Sequence, residues 1–177
     1  MEPKDMTESP DRNGLKRTVN GLVGTFRHAL DPKKRLTIPS EWRDALGEPD
    51  YVYVMPSATQ PCLELIPTEL MERTLAQYQE ADLFDDDADA DAQAIAEHSQ
   101  MLKVDAAGRI RICDELLAYA GVTDSITMIG GMRKAKLWSA ESKPFAEKGK
   151  LDLTAFRAVA EKRKLAARAK KEKAGTK

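Results

Sequence analysis

Few residues here could carry catalysis or metal binding, and each scarcity excludes a class. Two cysteines are too few for a disulfide framework, and Cys62 and Cys113 lack metal-ligand spacing. Each lies beside or within an expected strand, which predicts buried thiols. The two histidines, His28 and His98, have no evident partner residue and read as core or surface positions. Ser57 and Ser139 follow expected strands but sit in no nucleophile elbow. No glycine-rich phosphate loop or metal-ligand cluster occurs. The reading is therefore no enzyme: no catalytic residue, metal, cofactor or small-molecule substrate is assigned. Aromatics make up only 6% of the chain, so its core is expected to be aliphatic. No apolar run approaches the length of about 18 residues that a membrane helix needs. Residues Met1–Asn20 are polar and lack the apolar stretch of a secretory signal. They read as disordered, and the chain as cytoplasmic.

Net charge is also scarce, at −1 over 177 residues, but it is segregated. Between Glu80 and Glu97 lie Glu80, Asp82, Asp85, Asp86, Asp87, Asp89, Asp91 and Glu97, with no basic residue among them. The alternation from Asp85 to Asp91 superficially matches a calcium loop. The turn glycine is missing, and Ala96 stands where the closing glutamate would be. A solvated loop is the expectation. From Lys143 to Lys177 twelve Lys/Arg stand against four Asp/Glu. Leu153, Phe156, Val159 and Ala160 are spaced for one face of a helix there, so the tail reads as a basic helix that could touch nucleic-acid phosphate.

What the chain does contain is a pattern used twice. Asp31-Pro-Lys-Lys-Arg-Leu-Thr-Ile-Pro39 returns as Asp105-Ala-Ala-Gly-Arg-Ile-Arg-Ile-Cys113, an offset of 74 residues from Asp31 to Asp105. Leu46-Gly47 and Tyr51–Met55 return at the same offset as Ala120-Gly121 and Ser125–Ile129. Leu63–Ile66 returns within two residues of it, as Ala135–Trp138. Each unit reads as strand, turn, strand, short helix, strand, turn, strand. Expected strands are Arg35–Ile38, Tyr51–Met55, Leu63–Ile66, Arg109–Ile112 and Ser125–Ile129. Expected helices are Ser40–Leu46, and Asp114–Ala120 with Asp114 as N-cap. Between the units, Thr68–Tyr78 (Thr68 as cap) and Ala90–Leu102 have helical spacing.

The repeated turn has a chemical meaning. Aspartate at its first position accepts from backbone N–H groups two residues on. Glycine takes the left-handed conformation that restores strand pairing, and arginine follows at a rigid corner. Guanidinium binds phosphate, or the N7/O6 edge of guanine, in bidentate fashion. Two such corners suit paired contacts with a duplex. The candidate DNA-binding residues are Arg35 and Arg109, joined by Lys33 and Lys34 on charge and position. Asp31, Asp105 and Gly108 are the turn-shaping residues. The first turn departs from the pattern, with Lys34 where the second has Gly108. A non-glycine residue at positive φ costs about 1 kcal/mol.

These turns, with Arg35-Leu-Thr-Ile-Pro39, Trp42-Arg43, Cys62–Pro67, Ala120-Gly-Val122, Ile129-Gly130 and Lys136-Leu-Trp138, resemble the MraZ family of bacterial transcriptional regulators, within the AbrB-like group. The likeness covers about Gly24 to Glu141. Lys34 departs from it, as does Lys134-Ala135, where an Asn-Arg type of pair is expected. The resemblance implies an α+β, mainly β fold in which two AbrB-like swapped-hairpin repeats form a small β-barrel with short flanking helices. It also implies a homo-oligomeric ring that binds repeated promoter boxes of double-stranded DNA at the division and cell wall gene cluster, usually as a repressor. By the same resemblance Arg35 and Arg109 touch the DNA, and the protein is nucleoid-associated. Expected boundaries are a disordered extension 1–20, repeat one 21–68, a helical connector with acidic loop 69–100, repeat two 101–142 and a basic tail 143–177. The alternative is an AbrB-like protein-interaction or antitoxin-type module.

Overall fold

A computed structural model describes residues 21–80, 85–142 and 153–174, with side chains as far as residue 166. The expected extension 1–20 and the first part of the tail lie outside the described residues. The chain divides into a compact unit ending at Ser142 and a second unit from Lys143 onward. The first unit holds β1 (Thr25–Ala29), β2 (Arg35–Thr37), α1 (Ser40–Ala45), β3 (Tyr51–Pro56), β4 (Leu63–Pro67), α2 (Thr68–Gln79), α3 (Asp86–His98), β5 (Gln100–Lys103), β6 (Arg109–Arg111), α4 (Asp114–Tyr119), β7 (Ser125–Gly130) and β8 (Ala135–Ser139). The second holds α5 (Thr154–Ala174). No helix among the described residues is long and apolar enough to cross a membrane.

Strand pairing interleaves the two halves. Six strands form one antiparallel sheet in the order β1-β7-β8-β4-β3-β5, while β2 and β6 form a separate two-stranded ribbon. The first strand of each half pairs with the other half, β1 on β7 and β5 on β3. The registers match: Ala29 faces Ser125 in one ladder and Lys103 faces Tyr51 in the other, each residue 74 positions from its counterpart. In the ribbon Leu36 faces Ile110, its own counterpart. Across β4 and β8, Glu64 faces Lys136, again its counterpart. An approximate two-fold axis therefore passes between Leu36 and Ile110 and between Glu64 and Lys136.

The ladders among the described residues join the strands into one six-stranded sheet and one ribbon, and none of them closes the two into a barrel. Closure would need β1 laddered to β2, and β5 to β6. Backbone hydrogen bonds link their ends at the mouths of the turns, where Asp31 N–H donates to Arg35 O (3.1 Å) and Asp105 N–H to Arg109 O (2.9 Å). Beyond its turn β2 ladders with β6 instead, and the His28 ring sits 2.8 Å from the Thr37 carbonyl.

Three local expectations are also corrected. The acidic run is not a loop: Asp86–Asp91 are the first turns of α3. Asp85 caps it by accepting from Ala88 N–H (3.1 Å), and acidic residues at a helix N-terminus are stabilised by its dipole. That helix ends at His98, before Leu102, which instead packs in β5 opposite Val52. Asp114 and Thr68 are first residues of their helices, not caps; Cys113 and Pro67 hold the cap positions. The Thr68 hydroxyl donates to Tyr51 O (2.6 Å).

The core is mainly aliphatic, and Trp42 and Trp138 are buried aromatics in it. Leu36, Ile38, Val52, Val54, Leu63, Leu65, Ile110, Ile112, Ile126, Met128 and Leu137 are fully buried. Trp42 closes one end of that core. Its indole N–H donates to Val23 O (2.7 Å), and its ring meets Phe26 edge-on at 5.3 Å. Helices α1 and α4 end alike, with Gly47 and Gly121 in the left-handed region. Glu48 N–H returns to Arg43 O and Val122 N–H to Leu117 O, 2.9 Å in each case. Buried Glu64 accepts from the Ser57 hydroxyl (3.2 Å) and from the Lys134 ammonium, so the Lys134 departure has a structural role. Cys62 is buried, which pushes its thiol pKa up, and Cys113 is half-buried; both are free thiols.

Candidate nucleic-acid interface

Both turns are built as their spacing predicts. Asp31 Oδ1 accepts from Lys33 N–H (2.8 Å) and Arg35 N–H (2.9 Å), while Lys34 N–H closes the turn on Asp31 O (2.7 Å). Asp105 Oδ1 likewise accepts from Ala107 N–H (3.0 Å) and Arg109 N–H (2.9 Å), and Gly108 N–H closes on Asp105 O (2.8 Å). The other carboxylate oxygen of each aspartate takes the arginine Nε, at 2.7 Å for Arg35 and 2.8 Å for Arg109. Each aspartate thus shapes the backbone with one oxygen and aims the guanidinium with the other. These bonds hold both carboxyls below the ordinary aspartate pKa. In each, the largest cause is the arginine backbone N–H; partial burial opposes it, and the arginine side chain and the remaining turn N–H reinforce it.

Laddering β2 on β6 brings the turns together. Arg35 Nη1 lies 3.5 Å from Asp105, and Arg109 Nη1 lies 3.8 Å from Asp31. Two arginines and two aspartates so form one crossed cluster over the axis. Arg35 and Arg109 side chains keep 28% and 32% of their surface exposed, so the forks are held in place but not enclosed. Such pairs, partly in water, add little stability. Their contribution is to preset two long side chains, which lowers the entropy lost when a ligand engages them. Lys33 is exposed beside Arg35. Lys34 is half-exposed, with its ammonium 3.6 Å from Asp114.

The unequal residues of the two turns have a spatial reason. Lys34 stands at φ 54° and Gly108 at φ 74°, the same left-handed backbone. A Cβ on Gly108 would lie 2.6 Å from Nε of Arg43, because that α1 side chain from the other half covers the second turn. The residue 74 positions on from Arg43 is Leu117, which is buried in the core and brings no guanidinium. Arg43 Nε is buried with no hydrogen-bond partner among the described residues, while its Nη1 reaches Glu48 at 3.4 Å.

Two residues near the turns escaped the sequence reading. One is Arg43. The other is Arg111, which faces Arg35 directly across the ribbon. Residues alternate along a strand, so Leu36 and Ile110 point into the core and Arg35, Thr37, Arg109 and Arg111 share the outer face. Arg111 lies 3.4 Å from Asp114. The Arg-x-Arg spacing of residues 109 to 111 was the available signal for it.

Fold and site together define an interleaved α+β protein that carries two arginine corners on the outer face of a ribbon. The chain belongs to the MraZ family. A family model described as "MraZ protein, putative antitoxin-like" matches residues 22–93. The Transcriptional regulator MraZ of Caulobacter vibrioides (strain NA1000 / CB15N) is 33% identical over 122 residues, 68% of this chain and 78% of that protein. That of Gluconacetobacter diazotrophicus is 32% identical over 123 residues, covering 66% of this chain and 77% of that protein. That of Clostridium beijerinckii is 28% identical over 141 residues, covering 80% and 95%. These relatives are named as transcriptional regulators, and the chain stands with them and not with an enzyme family.

Proposed function

We propose that the protein is a sequence-specific regulator of transcription that grips double-stranded DNA through its paired turns. Arg35 and Arg109 supply the contacts, and Lys33 and Lys34 strengthen the field at the first turn. The observation that carries this reading is the crossed cluster: two guanidiniums from distant parts of the chain, preset side by side on an exposed ribbon. A two-stranded ribbon fits the major groove, and arginine is the residue best suited to guanine and phosphate. The family resemblance supports the finer reading. In it the halves are AbrB-like units, several copies form a ring, and the ring represses from repeated boxes at the division and cell wall genes. A ring engages neighbouring boxes intramolecularly after its first contact, so tandem boxes gain affinity without new contacts.

The test starts with selection of bound duplexes from a random pool, followed by band shifts on the enriched box in single and tandem copies. Tight, salt-sensitive binding that strengthens in tandem is expected, since each neutralised phosphate steepens the salt dependence. Equal affinity for one box and several would contradict the ring. The antitoxin-like description of the matching family model favours a second reading, a protein-interaction module. Absence of any salt-dependent DNA retention would select it.

A further inference from the structure

The two-fold relation makes departures from symmetry easy to see, and on the ribbon they collect at one end. At the first pole Arg35 stands opposite Arg111, beside Lys33 and Lys34. At the second pole Arg109 stands opposite Thr37, beside Ala106 and Ala107. Thr37 is the counterpart of Arg111, so the second pole lacks the lysines and a second arginine on the ribbon; the Arg43 side chain that covers its turn is only 24% exposed and reaches Glu48.

Arg111 and Arg35 would repel one another if nothing intervened, because like charges directly opposite destabilise a ladder. Asp114 answers this charge. Its Oδ1 lies 3.4 Å from Arg111 Nη2 and 3.6 Å from Lys34 Nζ. Its counterpart at the second pole is Ser40, whose hydroxyl turns to Glu41 (3.1 Å). Arg111 keeps 47% of its side chain exposed, and Asp114 67%. Arg111 Nη1 also donates to the Ile112 carbonyl, while one exposed carboxylate holds its Nη2 and the Lys34 ammonium in water-accessible positions, where stronger phosphate or base-edge acceptors can displace it.

We infer that Arg111 is a third DNA-contacting arginine, which makes the Arg35 pole dominant and gives binding a direction along the duplex. The inference rests on the reading of the turns as the DNA interface. It adds that the box bound by one molecule is asymmetric, with its more strongly specified side under Arg35 and Arg111. Guanine, with two acceptors in the major groove, is the base this arginine pair suits.

The test compares wild type with Arg111→Thr and Thr37→Arg, using duplexes selected from a random pool and band shifts on the enriched box. Arg111→Thr is expected to weaken binding about 5- to 100-fold and to lower the salt slope by about one unit. Base preference should relax on one side of the box only. Thr37→Arg places an arginine opposite Arg109 and is expected to strengthen binding and extend base preference on the other side. Thermal unfolding checks that both variants fold; should Arg111→Thr unfold, the gain in Thr37→Arg still decides. Unchanged affinity and preference in both variants, with wild type binding DNA, would overturn the role of Arg111. A wild type that shows no salt-dependent binding would instead overturn the underlying reading of the turns.

Discussion

The two turns share one backbone plan and differ in what lies over them. In both, an aspartate ties two backbone N–H groups and an arginine Nε, and the fourth turn residue adopts positive φ. Over the second turn the other half lays Arg43, so that only glycine fits without a shift. At the first turn a lysine occupies the left-handed position, with its ammonium drawn toward Asp114. The same local sequence logic thus yields a corner that only glycine fits where Arg43 crowds it, and a charged corner at the other turn. Duplication supplied the plan, and contacts between the halves supplied the difference.

The comparison can be broken first at the axis itself. Leu36 and Ile110 are both fully buried and face each other, so Leu36→Ala and Ile110→Ala should each destabilise by about 2–5 kcal/mol in denaturant unfolding, and by similar amounts. A large disparity would mean that the halves do not share the ribbon equally. A smaller effect is expected at the turns. Gly108→Ala meets both positive φ and the Arg43 side chain and should destabilise by about 1–2 kcal/mol. Adding Arg43→Ala removes the steric part, so a double-mutant cycle should show coupling; strict additivity would break the link between Arg43 and the second turn. Lys34→Gly should change stability by only about 0.5 kcal/mol, in the favourable direction, since relief of strain is partly offset by added freedom in the unfolded chain.

The smallest expected effect is one in which the turns should agree. Both aspartate pKa values are lowered below 3.8 by folding. A lowered folded pKa means that stability is fully present above the unfolded value and is lost as pH falls through the folded one. Carboxyl-carbon NMR titration should give lower midpoints for Asp31 and Asp105 in the folded protein than in the unfolded chain, and a midpoint not lowered in either would contradict the hydrogen bonding described for its turn.

The turns were legible because their chemistry is local: aspartate, glycine and arginine at fixed spacing state which N–H groups are capped and where φ turns positive. The repeat was legible because strands β3 and β7 recur at one offset. Pairing was not. Nothing within Arg35–Thr37 says that it ladders with Arg109–Arg111 and not with the neighbouring β1. The acidic run misled because aspartate is a poor residue inside a helix, yet a favourable one in its first turn, and Asp85 as cap decided the matter. Leu102 was read as helix because its spacing suits one; the free edge of β3 captured it as strand instead. Arg43 was not legible as a neighbour of the second turn, since its contact with Gly108 is distant in sequence.

The central claim is that paired arginine corners bind DNA. Its most direct test is the affinity of Arg109→Ala for the box enriched by the wild type, in a variant whose thermal unfolding is unchanged. Arg109 holds no buried core position, so the fold should persist while specific binding is lost. Wild-type affinity in a folded Arg109→Ala protein would contradict the claim.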